Sequence, residues 1–516
     1  MSSTTTVWTA FLEKSGTRAD RDAIVMGDRC TSFAILHDLS LAYAERLQRQ
    51  GIFPGDRVII WMDASAECAA AILGTWICGA IIVLMSPSAD RWNLMYGISK
   101  VEASLLICLS DSRPPGDLPI SIVDEIDIND TSSDSVTEIR TLPTDPASIL
   151  FTSGSTGKPK AVTQSHGSLL RACRAVAAYL GLSEDDRILC PIPWHLDYGF
   201  GQLLSTLIVG TTHILPTAPN PFQICASIEA HRPTFFPGIP SLFSYLFQGI
   251  SPIRKTELAS IRVVTNTGGS LPGPVLADLL EVFSDARIYL NYGLTETYRT
   301  SFLDPSLVKE RPTSIGTPIP GVDVVLVKDD GGLAGPDEEG QIVHRGDYIM
   351  MGYWNDEEAT SAALRPDPIS PGGCLSKRSA LFTGDYGHID QDGFLYFHGR
   401  KDHQFKSMGV RVNPNQIEEI IHQSGMIRQV GVFRKKNEIL ENEIWAAVVL
   451  NNSENQETVL TKLKSYAREA MSRYMVPRRF ILKDSLPMTN SGKIDYVALQ
   501  READGDPSAF SSTEPC

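Results

Sequence analysis

The sequence predicts an α/β protein: a large N-terminal domain of layered α/β subdomains plus a β-rich subdomain, then a small C-terminal α+β domain. Three observations lead there. Helix and strand patterns alternate from residue 31 to about residue 290, implying a parallel or mixed sheet covered by helices. From Gly316 to Phe397 the pattern changes to short strands between Gly/Pro/Asp turns, and near Asp402 a new unit begins. At 516 residues the chain is too long for one ordinary core. The expected divisions are 1–401 for the core domain, 402–500 for the C-terminal domain and 501–516 for a polar tail.

Taken in order, Thr31 or Ser32 caps a helix through Leu36, Leu39, Tyr43 and Leu47 that ends at Gly51. Pro54-Gly55-Asp56 turns into the strand Val58-Ile59-Ile60-Trp61. The unit repeats at Ala69–Leu84, and a third strand runs Ser104–Leu109. No residue from Cys68 to Ala89 is charged, a length that raises a transmembrane reading. Gly74 and Gly79 interrupt it, however, and Ile81-Ile82-Val83 is β-branched, so a buried helix, a glycine break and a strand explain it better. Asp111 to Asp145 reads as a polar surface connection. Beyond it come a helix at Ser168–Tyr179, a strand at Arg187–Pro191, and Arg262-Val263-Val264-Thr265 feeding Gly268-Gly269. Gly340–Arg345 and Phe394–Phe397 are strands of the β-rich part. The last unit holds strands at Val430–Phe433 and Ile444–Leu450, and a helix marked by Val459, Leu460, Leu463, Tyr466, Ala467, Ala470 and Met471.

Composition narrows the function. A net charge of −15 disfavours attraction to nucleic acid or an anionic membrane. Nine cysteines without a CxxC pair read as reduced thiols, and the N-terminus lacks the basic and apolar regions of a secretory signal, so a cytoplasmic enzyme is expected.

The most informative stretch is Phe151-Thr152-Ser153-Gly154-Ser155-Thr156-Gly157-Lys158-Pro159-Lys160. Its glycines let backbone N–H groups approach a ligand, its hydroxyls donate hydrogen bonds, and Lys158 and Lys160 add positive charge, which suits polyphosphate oxygens. It is not a Walker loop, because only Ser155 and Thr156 separate the glycines and Pro159 follows Lys158.

Ser153 to Lys160 resembles the signature loop of the adenylate-forming superfamily of acyl-CoA synthetases, peptide-synthetase adenylation domains and luciferases. Four further motifs follow in that family's order: Tyr292-Gly293-Leu294-Thr295-Glu296, Thr383-Gly384-Asp385, Gly399-Arg400-Lys401-Asp402, and Pro487 through Gly492-Lys493. The resemblance covers nearly the whole chain. It implies ATP and Mg²⁺ as cofactors, with the loop from Thr152 to Lys160 on the β- and γ-phosphates. Lys493 would reach the carboxylate and α-phosphate, and Glu296, beside Thr295, would bind Mg²⁺. Tyr292 would stack on adenine, with Asn291 at its edge and Gly269 and Gly293 close to the nucleotide. Asp385 would take the ribose hydroxyls and Arg400 would add charge nearby. Asp402 sits where the family hinges a mobile C-terminal lid. Gln416 stands where the family often has Glu.

The acid and acceptor stay open. In amino-acid-activating relatives an aspartate in the segment Pro193-Trp194-His195-Leu196-Asp197 pairs with the substrate ammonium, and Asp197 falls there; alternatively it caps the following helix. Asn266-Thr267-Gly268-Gly269 and Glu296-Thr297-Tyr298-Arg299 resemble free-standing ligases, some of which activate proline. The leading expectation is a ligase for a small amino acid, L-proline in particular, that passes it to a separate phosphopantetheinylated carrier protein. The alternative is an AMP-forming acyl-CoA ligase for a short or aromatic acid, in which Trp194 and His195 would gate the thiol tunnel. Gly268 is expected at the substrate in both.

Overall fold

The computed structural model describes residues 5–505 except 115, 127–135, 153–158, 249, 371–377, 401–404, 408–409, 413, 438–440, 452–455, 472–474 and 490–492. Two large sheets carry the core domain. One runs, in spatial order, through Gly352–Tyr353, Lys160–Ser165, Pro146–Thr152, Ile81–Leu84, Arg57–Trp61, Leu105–Cys108 and Ser121–Asp124. Its inner strands are parallel, and their apolar residues are buried, which explains the unbroken runs Val58–Trp61 and Ile81–Leu84.

The first helix of the alternation, Phe33–Arg49, starts where Ser32 Oγ accepts the Ile35 N–H at 3.2 Å, a cap worth about 1 kcal/mol. It lays Leu36, Leu39, Tyr43 and Leu47 into the core. Gly74 does not break the uncharged stretch. It lies inside the helix Ala66–Ile77, where an added Cβ would stand 2.6 Å from Tyr43 Cβ, so glycine there lets two helices approach closely. The break falls at Gly79, with φ of +69°, before the strand Ile81–Leu84. Among the described residues no helix is long and apolar enough to cross a membrane.

The second sheet passes through Asp22–Met26, Thr212–Leu215, Arg187–Leu189, Phe235–Gly238, Val263–Asn266 and Arg287–Tyr292, then into antiparallel strands between Ser301 and Arg400. The β-rich part is therefore an extension of an α/β sheet, joined by Ser301–Leu303 against Ser314–Pro318, rather than a sheet of its own. The polar connection from 111 to 145 also contains one strand, Ser121–Asp124, beside Leu105–Cys108.

The last unit has its own sheet, Ile427–Asn437, Glu441–Leu450 and Arg479–Leu482, with helices Pro414–Gln423, Gln456–Ala470 and Tyr496–Gly505. Ile417, Ile421, Val430 and Leu463 pack on one face of it, and Phe433, Trp445, Ile481 and Leu499 on the other. Gln423 follows His422, whose imidazole is pushed down to about 4 by burial.

Candidate active site

Strands Pro146–Thr152 and Lys160–Ser165 pair antiparallel as the two arms of a hairpin, with Thr152 opposite Lys160. Ser153, Gly154, Ser155, Thr156, Gly157 and Lys158 lie outside the described residues, as do Asp402 and residues 490–492. Lys160 Nζ stands 4.9 Å from the centroid of the Tyr353 ring, and the Tyr353 hydroxyl donates to Glu296 Oε1 at 2.8 Å. The Thr295 carbonyl accepts from Gln164 Nε2 at 3.1 Å and that of Glu296 from the Met350 N–H at 2.8 Å. These bonds bring the Glu296 carboxylate beside the mouth of the hairpin.

A second cluster lies where the two halves of the large sheet meet. Asp385, 3% exposed, accepts the Tyr292 hydroxyl at 2.6 Å, and Arg400 Nε lies 3.8 Å from its other oxygen. Burial pushes this carboxyl up, against the pull of Arg400 and the Tyr292 hydroxyl. Burial likewise holds the Tyr292 phenol well above its ordinary value, so it stays a donor. Asn291 is occupied inside the protein: Oδ1 accepts from Tyr179 at 2.8 Å, and Nδ2 donates to the Asn266 carbonyl at 3.2 Å. At Gly293 the backbone of Tyr298 and Arg299 approaches closely: a Cβ there would stand 3.0 Å from Arg299 Cα and from the Tyr298 carbonyl oxygen.

The third cluster joins the last unit to the core domain. A single β-bridge between Met488 and Ile494, and the Thr489 N–H donating to the Lys493 carbonyl at 2.7 Å, hold the backbone at Lys493. At Gly268, with φ of +82°, an added Cβ would stand 4.0 Å from Lys493 Cε. Gly269 holds the turn through its carbonyl, which accepts from Asn266 Nδ2 at 2.9 Å. The Lys493 ammonium acts on two carboxyls, lowering both Asp197 and Asp385 against the burial that raises them.

Asp197 opens the helix Asp197–Val209 at its first helical position. The cap is Leu196, without a side-chain cap bond, and Asp197 is the acidic residue of the first turn, its carboxyl held by the Tyr198 N–H. It lines a narrow cavity with Leu180, Gln202, Ser205, Tyr298 and Arg299. His195 is pushed down to about 4 by burial and its Nε2 is unpartnered, so it is a neutral imidazole. Trp194 requires a correction. It is 2% exposed in the main core cluster, and its Nε1 donates to His213 Nε2 at 3.3 Å, so it packs the core rather than facing substrate. Sequence reasoning did not single out Tyr353, Tyr179 or Arg299. Arg299 closes the quoted segment Glu296-Thr297-Tyr298-Arg299, the one visible signal for it, but carried no role there.

Fold and site together define an AMP-forming ligase. The chain belongs to the AMP-binding enzyme family, which residues 11–354 match, while 416–493 match the AMP-binding enzyme C-terminal domain. It is 27% identical to the long-chain-fatty-acid–CoA ligase of Bacillus subtilis, over 92% of this chain and 90% of that protein. It is 28% identical to gramicidin S synthase 2 of Brevibacillus brevis, over 96% of this chain but 11% of that protein. The fold matches o-succinylbenzoate coenzyme A synthetase from Bacillus subtilis, solved with ATP and magnesium ion, at a TM-score of 0.81 and 24% identity, over 97% of this chain and 99% of that one.

Proposed function

We propose that this protein is an AMP-forming acyl-CoA ligase. A carboxylate attacks the α-phosphate of ATP, releasing pyrophosphate and leaving an acyl-adenylate; the CoA thiol then displaces AMP to give a thioester. The observation that carries the first step is the meeting of Lys493, from the last unit, with Gly268 and Asp197 of the core domain. Two anions must meet, and a fixed ammonium between them offsets their repulsion and orients the attack. Asp385 and Arg400 would hold the ribose side, and Tyr292 would position Asp385 as much as it stacks on the base.

Glu296 fits a magnesium site. It supplies one hard carboxylate, half engaged by Tyr353, and Mg²⁺ is commonly held by one or two carboxylates plus phosphate oxygens and water. When bound, the ion would neutralise phosphate charge as pyrophosphate leaves. For the second step we place a hinge at Asp402, which would turn Lys493 away and admit the thiol.

The preference for CoA draws on the named CoA ligases that match this chain over nearly their whole length. Activation of a small amino acid, L-proline in particular, for a carrier protein has weaker support, limited to the match with one segment of gramicidin synthases. One observation keeps it as a second reading: the buried Asp197 carboxyl lines the cavity. Mass spectrometry of products from ATP, Mg²⁺, CoA and a panel of carboxylic and amino acids separates them. Acyl-CoA and AMP from acids without an amino group, retained in Asp197→Ala, support the first. Exchange of pyrophosphate into ATP with amino acids alone, lost in Asp197→Ala, supports the second and overturns the first.

A further inference from the structure

Arg299 is 4% exposed and makes no ion pair among the described residues. Its guanidinium carbon stands 5.3 Å from the centroid of the Tyr198 ring, and Nη1 donates to Thr267 Oγ1 at 2.9 Å. Its Nε is buried without a hydrogen-bond partner. A guanidinium carries five N–H donors in a rigid fork suited to planar oxygen pairs. Burying one with donors unmet is costly, and a bound acceptor removes that cost. Location gives the acceptor its identity. Arg299 lines the cavity that holds Asp197, and the Thr267 that anchors it precedes Gly268, which faces Lys493.

We propose that Arg299 determines acid specificity by binding a second anionic oxygen group, a carboxylate or ionised phenol, on the acid whose other carboxylate is activated beside Lys493. The selected class is dicarboxylic or acidic hydroxy-aromatic acids, not plain alkyl acids. Asp197 is the opposing charge in the cavity. Burial raises its carboxyl, against the pull of Lys493 and Arg299. The assignment rests on the acid-activating reading of the same site.

The test compares matched acids, succinate with butyrate and phthalate with benzoate, by ATP–pyrophosphate exchange. Wild type should favour the member with the second group by about 10- to 100-fold in kcat/KM, the worth of a charged hydrogen bond. Arg299→Gln should bring that ratio close to one with KM for ATP unchanged, and Arg299→Lys should restore part of it. No preference in wild type, or an equal loss for both members of a pair, would overturn the assignment. Titration calorimetry of the same acids in the presence of AMP judges binding without turnover. If no acid supports exchange, the activity reading fails; Arg299 then stands if phthalate binds more tightly than benzoate and loses that margin in Arg299→Gln, and falls if it does not.

Discussion

Replacing Tyr292 by Phe removes one hydroxyl from the buried pair that Tyr292 makes with Asp385. The ring keeps its place, 6.0 Å from that of Phe397 between centroids, so the packing loss is one oxygen atom. What changes is Asp385, which loses its 2.6 Å donor and keeps Arg400 at 3.8 Å from its other oxygen. A hydrogen bond to a charged group is worth about 1.5–3 kcal/mol, and a buried carboxylate short of a donor carries most of that loss. At about 2 kcal/mol the folded-to-unfolded ratio falls by roughly 30-fold. Urea unfolding should show a lower midpoint with an unchanged slope. The pH dependence has a definite sign. Burial raises the Asp385 carboxyl, so the folded state holds its proton more tightly than the unfolded chain does. Stability from that proton is present in acid and is lost as pH rises through the raised value. Without the Tyr292 hydroxyl the value rises further, and the gap between variant and wild type should widen from acid towards neutral pH. Equal midpoints across the range would refute the pairing as a source of stability.

Glu418 offers a second pH test. Burial raises its carboxyl to about 8 against hydrogen bonds from the Val432 N–H and the Tyr496 hydroxyl, 2.7 and 2.9 Å away. The contribution is complete below the unfolded value of 4.5 and is lost as pH climbs to about 8. Amide exchange of the segment Tyr496–Gly505 should therefore quicken as pH rises beyond its intrinsic dependence, and Glu418→Gln should flatten that excess; an unchanged excess would count against it. Gly268→Ala forces a Cβ onto a backbone with φ of +82°, at a cost of about 1–2 kcal/mol. Pyrophosphate exchange should fall by about tenfold with only a small loss of thermal stability, and full activity would argue that Gly268 is uninvolved. Trp194→Ala should cost about 3–5 kcal/mol of stability, since it empties a core position; a stable variant with altered acid preference would return Trp194 to the site.

The alternation of helices and strands was legible because local periodicity reports which face is buried. Ser32, Leu36 and Tyr43 spell out a capped amphipathic helix, and that is what forms. Long-range pairing was not legible. Ser121–Asp124 has only two apolar residues, and its neighbour Leu105–Cys108 makes it a strand. The short strands after Gly316 look like a separate piece until Ser301–Leu303 and Ser314–Pro318 join them to the main sheet. The motifs single out Tyr292, Asp385 and Glu296 in the sequence, but not the partners they meet in the fold. Tyr353 reaches Glu296 from 57 residues away in sequence. Trp194 sits next to His195 in the chain, yet the backbone turns it into the core, a direction that no spacing encodes.

The most direct measurement separates the two half-reactions in Lys493→Ala. The mutant should show no ATP–pyrophosphate exchange with any accepted acid, while it still converts supplied acyl-adenylate and CoA to thioester near the wild-type rate. Equal loss of both half-reactions, or exchange that survives the substitution, would contradict the role of Lys493 as the cation delivered for adenylation.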